Sequence, residues 1–229
     1  MMKHLMIAAA LTALMLSSRV RAADEEGFTP LFDGKSLKGW VNDKGEPVTE
    51  GGWVAQDGVL HMKPGSKAGN LFTAKEYGDF IFDWEWKLES KGNNGVKYRV
   101  NKFDKGGWLG LEYQMIDDGG HADGHKPISQ TASIYALYPP IDGKPLNPIG
   151  QWNSSRIVAK GPKVEHWLNG VKVAEADIST DDFKQRVAAS KWKAIEGFGV
   201  ARRGKIMITD HKDPVWIRNI RIKPLDAAE

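Results

Sequence analysis

Apolar and polar side chains alternate most regularly over residues 80–88, FIFDWEWKL. Phe80, Phe82, Trp84, Trp86 and Leu88 fall on one face, and Asp83, Glu85, Lys87 and then Glu89 on the other. A period of two is the signature of a half-buried strand. Residues 109–116 repeat it, with Leu109, Leu111, Tyr113 and Met115 opposed to Gly110, Glu112, Gln114 and Ile116. Residues 96–100 do so more briefly, setting Val96, Tyr98 and Val100 against Lys97 and Arg99. If 96–100 lies beside 80–88, Glu85 and Lys97 become cross-strand neighbours. The three strands then bring Glu85, Lys97, Arg99, Glu112 and Gln114 to one polar groove.

Turn chemistry divides the rest into short strands. Asp57-Gly58 and Asn169-Gly170 each separate apolar runs, which predicts tight hairpins at both places. Further strands are expected at 69–72, 133–138, 151–159, 205–210 and 215–222, and a Pro- and Gly-rich loop at 139–150. The one predicted helix is 180–189, with Thr180 as N-cap and Asp181 and Asp182 in its first turn. His61, inside a short strand, is read as structural. Many short strands with almost no helix predict an all-β fold, an antiparallel β-sandwich or jelly roll.

The first 22 residues combine Lys3, an apolar run from Leu5 to Leu16, and small residues at Val20 and Ala22, the architecture of a cleaved signal peptide. Its loss removes three basic residues and no acid, taking the formal net charge from +3 to zero. A neutral mature chain gives no reason to expect nucleic acid as a partner, and no membrane span is expected after cleavage. The remainder, 23–229, is read as one domain, periplasmic or secreted. Cysteine is absent, so an exported protein of this size is held by burial and hydrogen bonding alone. Nine Trp and 25 Gly suit aromatic strands joined by tight turns, and indoles also suit sugar recognition.

Directly after Gln114 the chain continues MIDDGGHADGHK, bringing Asp117, Asp118, His121, Asp123, His125 and Lys126 into one loop. We read the 109–116 strand as the floor of a site and this loop as its rim. No cofactor is required by the sequence. The Asp and His cluster offers donors for a divalent cation, but its spacing lacks the ligand pattern of a calcium loop.

Several stretches together resemble the 3-keto-disaccharide hydrolase domain family. They are FTPLFDGKSLKGW (28–40), FDWEWKL (82–88), GLEYQMIDD (110–118), the 121–126 loop, GQWNSSRIVAKG (150–161), VEHWLNG (164–170) and ITDHKDPVWIRNIRI (208–222). The resemblance implies a concanavalin A-like jelly roll of two antiparallel sheets, bacterial export, and action on glycosides oxidised at carbon 3. A ketone there acidifies the proton on carbon 2, so a base can remove it and the enolate can expel the substituent on carbon 1. Such a site needs a base near neutral pKa, a stabiliser for the enolate oxygen and an acid for the leaving group.

His121, His125 and His166 are the candidates for base or acid, with Glu112 orienting one of them or acting itself. Lys97, Lys126 and Arg99 are candidates to stabilise an enolate, and Glu85, Gln114, Asp117, Trp152, Asn153, Asp210 and His211 to bind substrate. Thr209 and Lys212 stand where the family pattern leads us to expect Gln and Gly. Two other readings stay open. One is a conventional two-carboxylate glycosidase using Glu85 with Glu89 or with Glu112, although Lys87 occupies the position of the central acid of jelly-roll glucanases. The other is a non-catalytic sugar-binding module with Trp108 or Trp152 as its platform.

Overall fold

The computed structural model describes residues 26–48 and 51–225. The expected signal peptide lies outside these residues. The elements are β1 (Thr29–Pro30), β2 (Trp40–Val41), β3 (Trp53–Gln56), β4 (Val59–Met62), β5 (Leu71–Thr73), β6 (Phe80–Leu88), β7 (Asn93–Phe103), β8 (Gly107–Ile116), β9 (Asn153–Lys160), β10 (Lys163–Leu168), β11 (Val171–Asp177), α1 (Asp181–Ala189), β12 (Lys205–Ile208) and β13 (Val215–Pro224). They form two antiparallel sheets. The large sheet runs β11-β10-β9-β6-β13-β4-β3 with β1 also paired to β13, and the small sheet runs β2-β5-β12-β7-β8. The all-β sandwich expected from the alternation is the fold observed.

Both predicted hairpins form, with Asp57 at φ 52° and Gly58 at φ 79°, and Asn169 at φ 47° and Gly170 at φ 83°. Two successive left-handed residues give the turn twist that matches a hairpin's strands. The helix begins where expected, the Thr180 side chain accepting from the Phe183 amide at 3.3 Å. Residues 133–138 differ from expectation. They make turns and isolated bridges, including Tyr113 to Ile134, and run along the open side of β8. Hydrogen bonds from Ala132 N to Gln114 O and from Tyr135 N to Glu112 O, at 2.8 and 3.0 Å, cover that sheet edge.

The pairing expected of β6 and β7 does not occur. β6 sits between β9 and β13 in the large sheet, whereas β7 sits between β12 and β8 in the small one. The turn between them carries the chain across the sandwich, so the apolar faces of both strands meet in the core and their polar faces point to opposite sides of the molecule. Glu85 therefore does not neighbour Lys97; Lys97 stands opposite Glu112. This also removes the glycosidase pairing of Glu85 with Glu112, because the whole sandwich separates them.

A second departure lies within β7. Arg99 has φ 49° and the register with β8 shifts between Tyr98 and Asn101, a bulge that turns Val100 to the opposite face from Tyr98. Arg99 leaves the expected polar row. It is buried and donates to Gly78 O at 3.1 Å, Gly161 O at 3.0 Å and Asp79 Oδ1 at 3.0 Å, tying two loops of the large sheet to β7.

The core between the sheets is aromatic and contains an ordered polar chain. Trp40, Trp53, Trp84 and Trp86 are buried, and each indole N–H has an acceptor, Leu31 O, Gly69 O, Met115 Sδ and Ser155 Oγ respectively. Most buried polar groups in folded proteins are satisfied in this way. The Ser155 hydroxyl donates to the Tyr113 hydroxyl at 2.8 Å, which donates to Trp167 O at 3.2 Å. His166 is wholly buried, with Nδ1 3.1 Å from Ala132 O and Nε2 3.0 Å from the Tyr98 hydroxyl. A carbonyl only accepts, so the Nδ1 proton donates to it and Nε2 accepts from Tyr98. Burial pushes its pKa down to about 4, keeping the ring neutral. His166 is thus a structural crosslink between the sheets with no approach for substrate, which corrects its expected catalytic role.

Candidate active site

Glu112 stands on the outward face of β8, the edge strand of the small sheet, yet is only 6 % exposed. Its carboxylate fits because Gly95 lies opposite on β7: a Cβ on Gly95 would overlap Glu112 Oε1 and come within 3.1 Å of Cδ. The Lys97 ammonium reaches Glu112 Oε2 at 3.8 Å, a contact wider than a tight ion pair. Two residues along the same face, Gln114 is buried with no hydrogen-bond partner on its Oε1. An unfilled acceptor on a buried amide is costly unless something supplies a donor. A bound hydroxyl would do so.

Three further groups border this floor. Tyr135 follows the edge-covering segment beside Glu112, and its hydroxyl pKa is raised by burial and by the charges of Glu112 and Asp123. Lys191 holds its ammonium 4.1 Å above the Tyr135 ring and 4.6 Å from the Trp192 ring. Lys191 is exposed overall, yet desolvation lowers its pKa while Glu112 and Asp123 pull it back up. His211, after β12, is exposed at the surface, yet desolvation by its neighbours lowers its pKa, with Glu112 opposing and Lys97 adding to that shift. A neutral imidazole near neutral pH can act as a base.

The loop after β8 is built largely by its own backbone. Asp117 accepts from the amides of Lys91, Gly119 and Gly120 at 2.8, 3.2 and 2.9 Å, so it holds the turn and does not face substrate. Those amides outweigh burial and lower its pKa. Asp118 takes the Thr131 amide and the Lys144 ammonium, at 2.8 and 2.7 Å. His121 Nδ1 accepts the Asp123 amide at 3.1 Å, which leaves its proton on Nε2 in the neutral ring. Lys126 pairs with Asp123 at 2.6 Å on the exposed rim, and His125 is exposed. Among the described residues no three His, Cys, Asp or Glu side chains converge to hold a metal ion. The anticipated Asp and His cluster does not gather, because its carboxylates are turned into amides and ammonium groups.

The remaining predicted residues lie elsewhere or serve the scaffold. Asp210 accepts from the Gly69 and Lys212 amides, both at 2.8 Å, and so positions the turn that presents His211. Asn153 takes the Asn147 amide and the Asn169 side chain, at 2.9 and 2.8 Å. Glu85 accepts from Arg218 and Asn219 on the outer face of the large sheet, where Trp152 lies under the Arg218 guanidinium at 4.0 Å. Trp108 is half-buried on the small sheet, packed on Phe72, with Val100 and Met207 beside them. The structure therefore brings Glu112, Lys97, Gln114 and His211 together and separates them from Glu85, Arg99, Trp152 and His166.

Tyr135 and Lys191 were not identified from sequence. Tyr135 sits in a segment patterned like a strand, and Lys191 follows the C-cap Ser190 of α1. The adjacent Lys191-Trp192 pair is the one local sign that the helix end carries more than a turn.

A family model described as the 3-keto-alpha-glucoside-1,2-lyase-like domain matches residues 27–223. A 3-keto-disaccharide hydrolase of Bacteroides thetaiotaomicron is 31% identical over 247 aligned positions, covering 94% of this chain and 84% of that protein. A crystal structure of a candidate glycosyl hydrolase from Parabacteroides distasonis superimposes with TM-score 0.79 at 36% identity, covering 88% of this chain and 95% of the other. A second from the same organism gives TM-score 0.64 at 26% identity, covering 86% and 99%.

Proposed function

Because the chain belongs to the 3-keto-alpha-glucoside-1,2-lyase-like family, we propose that it is a carbohydrate-active enzyme cleaving the glycosidic bond of 3-keto-glycosides. The observation that carries this reading is the nearly buried Glu112 carboxylate, with Lys97 held 3.8 Å away and His211 and Lys191 within its field. Neutral His211 takes the proton from carbon 2, and the C–H electron pair moves onto the carbon 3 oxygen as an enolate. Glu112 steadies the imidazolium so formed. Lys97 and Lys191 stabilise the enolate oxygen, where preorganised charge lowers a barrier most. The enolate then expels the carbon 1 oxygen, with Tyr135 or the rim residues His121 and Lys126 supplying its proton. Water adding to carbon 1 of the enone completes a net hydrolysis. Gln114 Oε1 takes a sugar hydroxyl. We keep the protein as exported, on the signal architecture of residues 1–22.

The test is incubation with matched 3-keto and unoxidised glucosides in heavy water, with and without a chelator, products being followed by NMR and mass spectrometry. Cleavage of the keto substrate alone, with deuterium entering at carbon 2, is the expected result. Cleavage of the unoxidised glucoside overturns the elimination, and binding without turnover leaves a sugar-binding module.

A further inference from the structure

The outer face of the large sheet, on the side away from Glu112, holds a cavity of about 730 Å³. Its floor is a row fixed by strand register. Trp167 of β10 stands opposite Arg156 of β9, Arg156 opposite Asp83 of β6, and Asp83 opposite Arg221 of β13. A bulge between Arg218 and Arg221, with Asn219 at φ 53°, brings the Asn219 side chain to Glu85.

Every polar wall of this cavity is held in place before any ligand arrives. Asp83 accepts from Arg156 Nε at 2.7 Å and Nη2 at 2.9 Å, and from Arg221 Nε at 3.2 Å and Nη2 at 3.0 Å. Phe28 lies 4.3 Å over the Arg221 guanidinium and 5.7 Å from that of Arg156. Glu85 accepts from Arg218 Nε at 2.7 Å and Asn219 Nδ2 at 2.8 Å. The Trp167 indole is pinned by its N–H to Glu165 Oε2 at 2.9 Å. Preorganised groups of this kind lose little entropy when they bind.

The charges lining the cavity are balanced, Asp83 and Glu85 against Arg156 and Arg221. A cavity without net charge has no long-range pull on an ion. Asp83 already receives four guanidinium N–H donors, whereas Glu85 accepts one bond on each oxygen and keeps spare lone pairs as an oriented acceptor, in the same lining as the fixed indole. That chemistry suits a neutral polyhydroxylated ring, whose C–H face covers the indole while its hydroxyls reach the Glu85 carboxylate. The volume lies within the usual range for a small-ligand site. We propose that this cavity is a second saccharide-binding site, taking a neutral pyranoside unit of an oligosaccharide and acting apart from the Glu112 groove. Two sugar sites on opposite faces of one rigid sandwich would hold a glycan on the protein while the other face works.

The test titrates the ¹⁵N-labelled full chain with cellotriose and with maltotriose, unoxidised sugars that the proposed elimination does not consume. The indole N–H signals are followed, with the Trp167 signal assigned through Trp167→Phe. We expect that signal to move saturably with at least one trisaccharide. Trp167→Ala should weaken binding about tenfold or more, equivalent to about 1.4 kcal/mol, and Glu112→Gln should leave it unchanged. A Trp167 signal that stays still up to the solubility of both sugars overturns the proposal. So does binding that Glu112→Gln abolishes while Trp167→Ala and Trp167→Phe retain it. Turnover of a 3-keto-glucoside by Trp167→Ala is measured alongside, so loss of this site and loss of the proposed catalysis read out separately.

Discussion

The two outer faces of the sandwich are built by the same alternation and differ in how their charges are matched. On the large sheet, Asp83 and Glu85 each receive guanidinium donors at 2.7 Å, with further bonds from Arg221 and Asn219. On the small sheet, Glu112 is more deeply covered, yet its cation stops at 3.8 Å and the neighbouring Gln114 Oε1 has no partner. Burial without full pairing costs free energy. A face that carries this cost is organised for a reaction partner, while a satisfied face is organised for shape. On the reading proposed above, the chemistry belongs to the less satisfied face, and the better matched one binds sugar without turning it over.

The sharpest way to break this contrast is to remove one carboxylate from each face. Glu112→Gln keeps size but removes the charge and turns one acceptor oxygen into a donor, and should lower kcat/KM on a 3-keto-glucoside by about 10²- to 10⁴-fold. Glu85→Gln should leave kcat/KM unchanged. Equal losses from the two would show that the faces do not divide as described.

The core between the faces yields the next largest effect. Burial holds the folded His166 pKa at about 4, below the ordinary imidazole value of 6.5, so between these limits the unfolded chain binds a proton that the native chain refuses. Stability from this residue is full above about pH 6.5 and is lost as pH falls toward 4. At 1.36 kcal/mol per unit, the loss reaches about 3 kcal/mol over that window. His166→Gln should be less stable at pH 7, because Tyr98 or Ala132 loses its partner. The gap between variant and wild type should then narrow by about 2 kcal/mol at pH 5. Urea unfolding at the two pH values measures this, and a constant gap would rule out the neutral buried ring.

Gly95 sharpens the comparison from the side of packing. Gly95→Ala places a methyl where the Glu112 carboxylate lies, so the carboxylate must move while the strand remains paired. A displacement of about 1 Å can cost about 10²-fold in rate. We expect a loss of that size in kcat with native circular dichroism, and retained activity would mean that Glu112 need not be where it is.

These effects rest on features that differ in how far the sequence disclosed them. Strand existence was legible because period-two alternation over 80–88 and 109–116 follows from burying one face. Glu112 was legible as a charge within an otherwise well-patterned strand. Which strands pair was not, because the polar faces of β6 and β7 look alike in sequence and only the crossing at residues 89–92 sends them to opposite sheets. The Arg99 bulge was hidden because VKYRV alternates without a break, and its left-handed φ is stabilised by tertiary bonds to Gly78, Gly161 and Asp79. Tyr135 and Lys191 feel the Glu112 charge from an edge-covering turn segment and from beyond a helix. Neither carries a periodic signal.

The smallest expected effect tests the matched face on its own terms. Glu85 and Arg218 meet at 2.7 Å with side chains 29 % and 38 % exposed, so water screens much of their attraction. A double-mutant cycle of Glu85→Gln and Arg218→Gln, read by urea unfolding, should give a coupling of about 0.2 to 1 kcal/mol, as for other exposed pairs. Stability is therefore too small a reason for the geometry of this row. Its consequence is to hold Glu85, Asn219 and Trp152 in fixed positions, so trisaccharide affinity should fall more steeply than stability when the pair is broken. Should affinity and stability fall in proportion, the row is only a charged sheet surface, and the Glu112 face alone binds sugar.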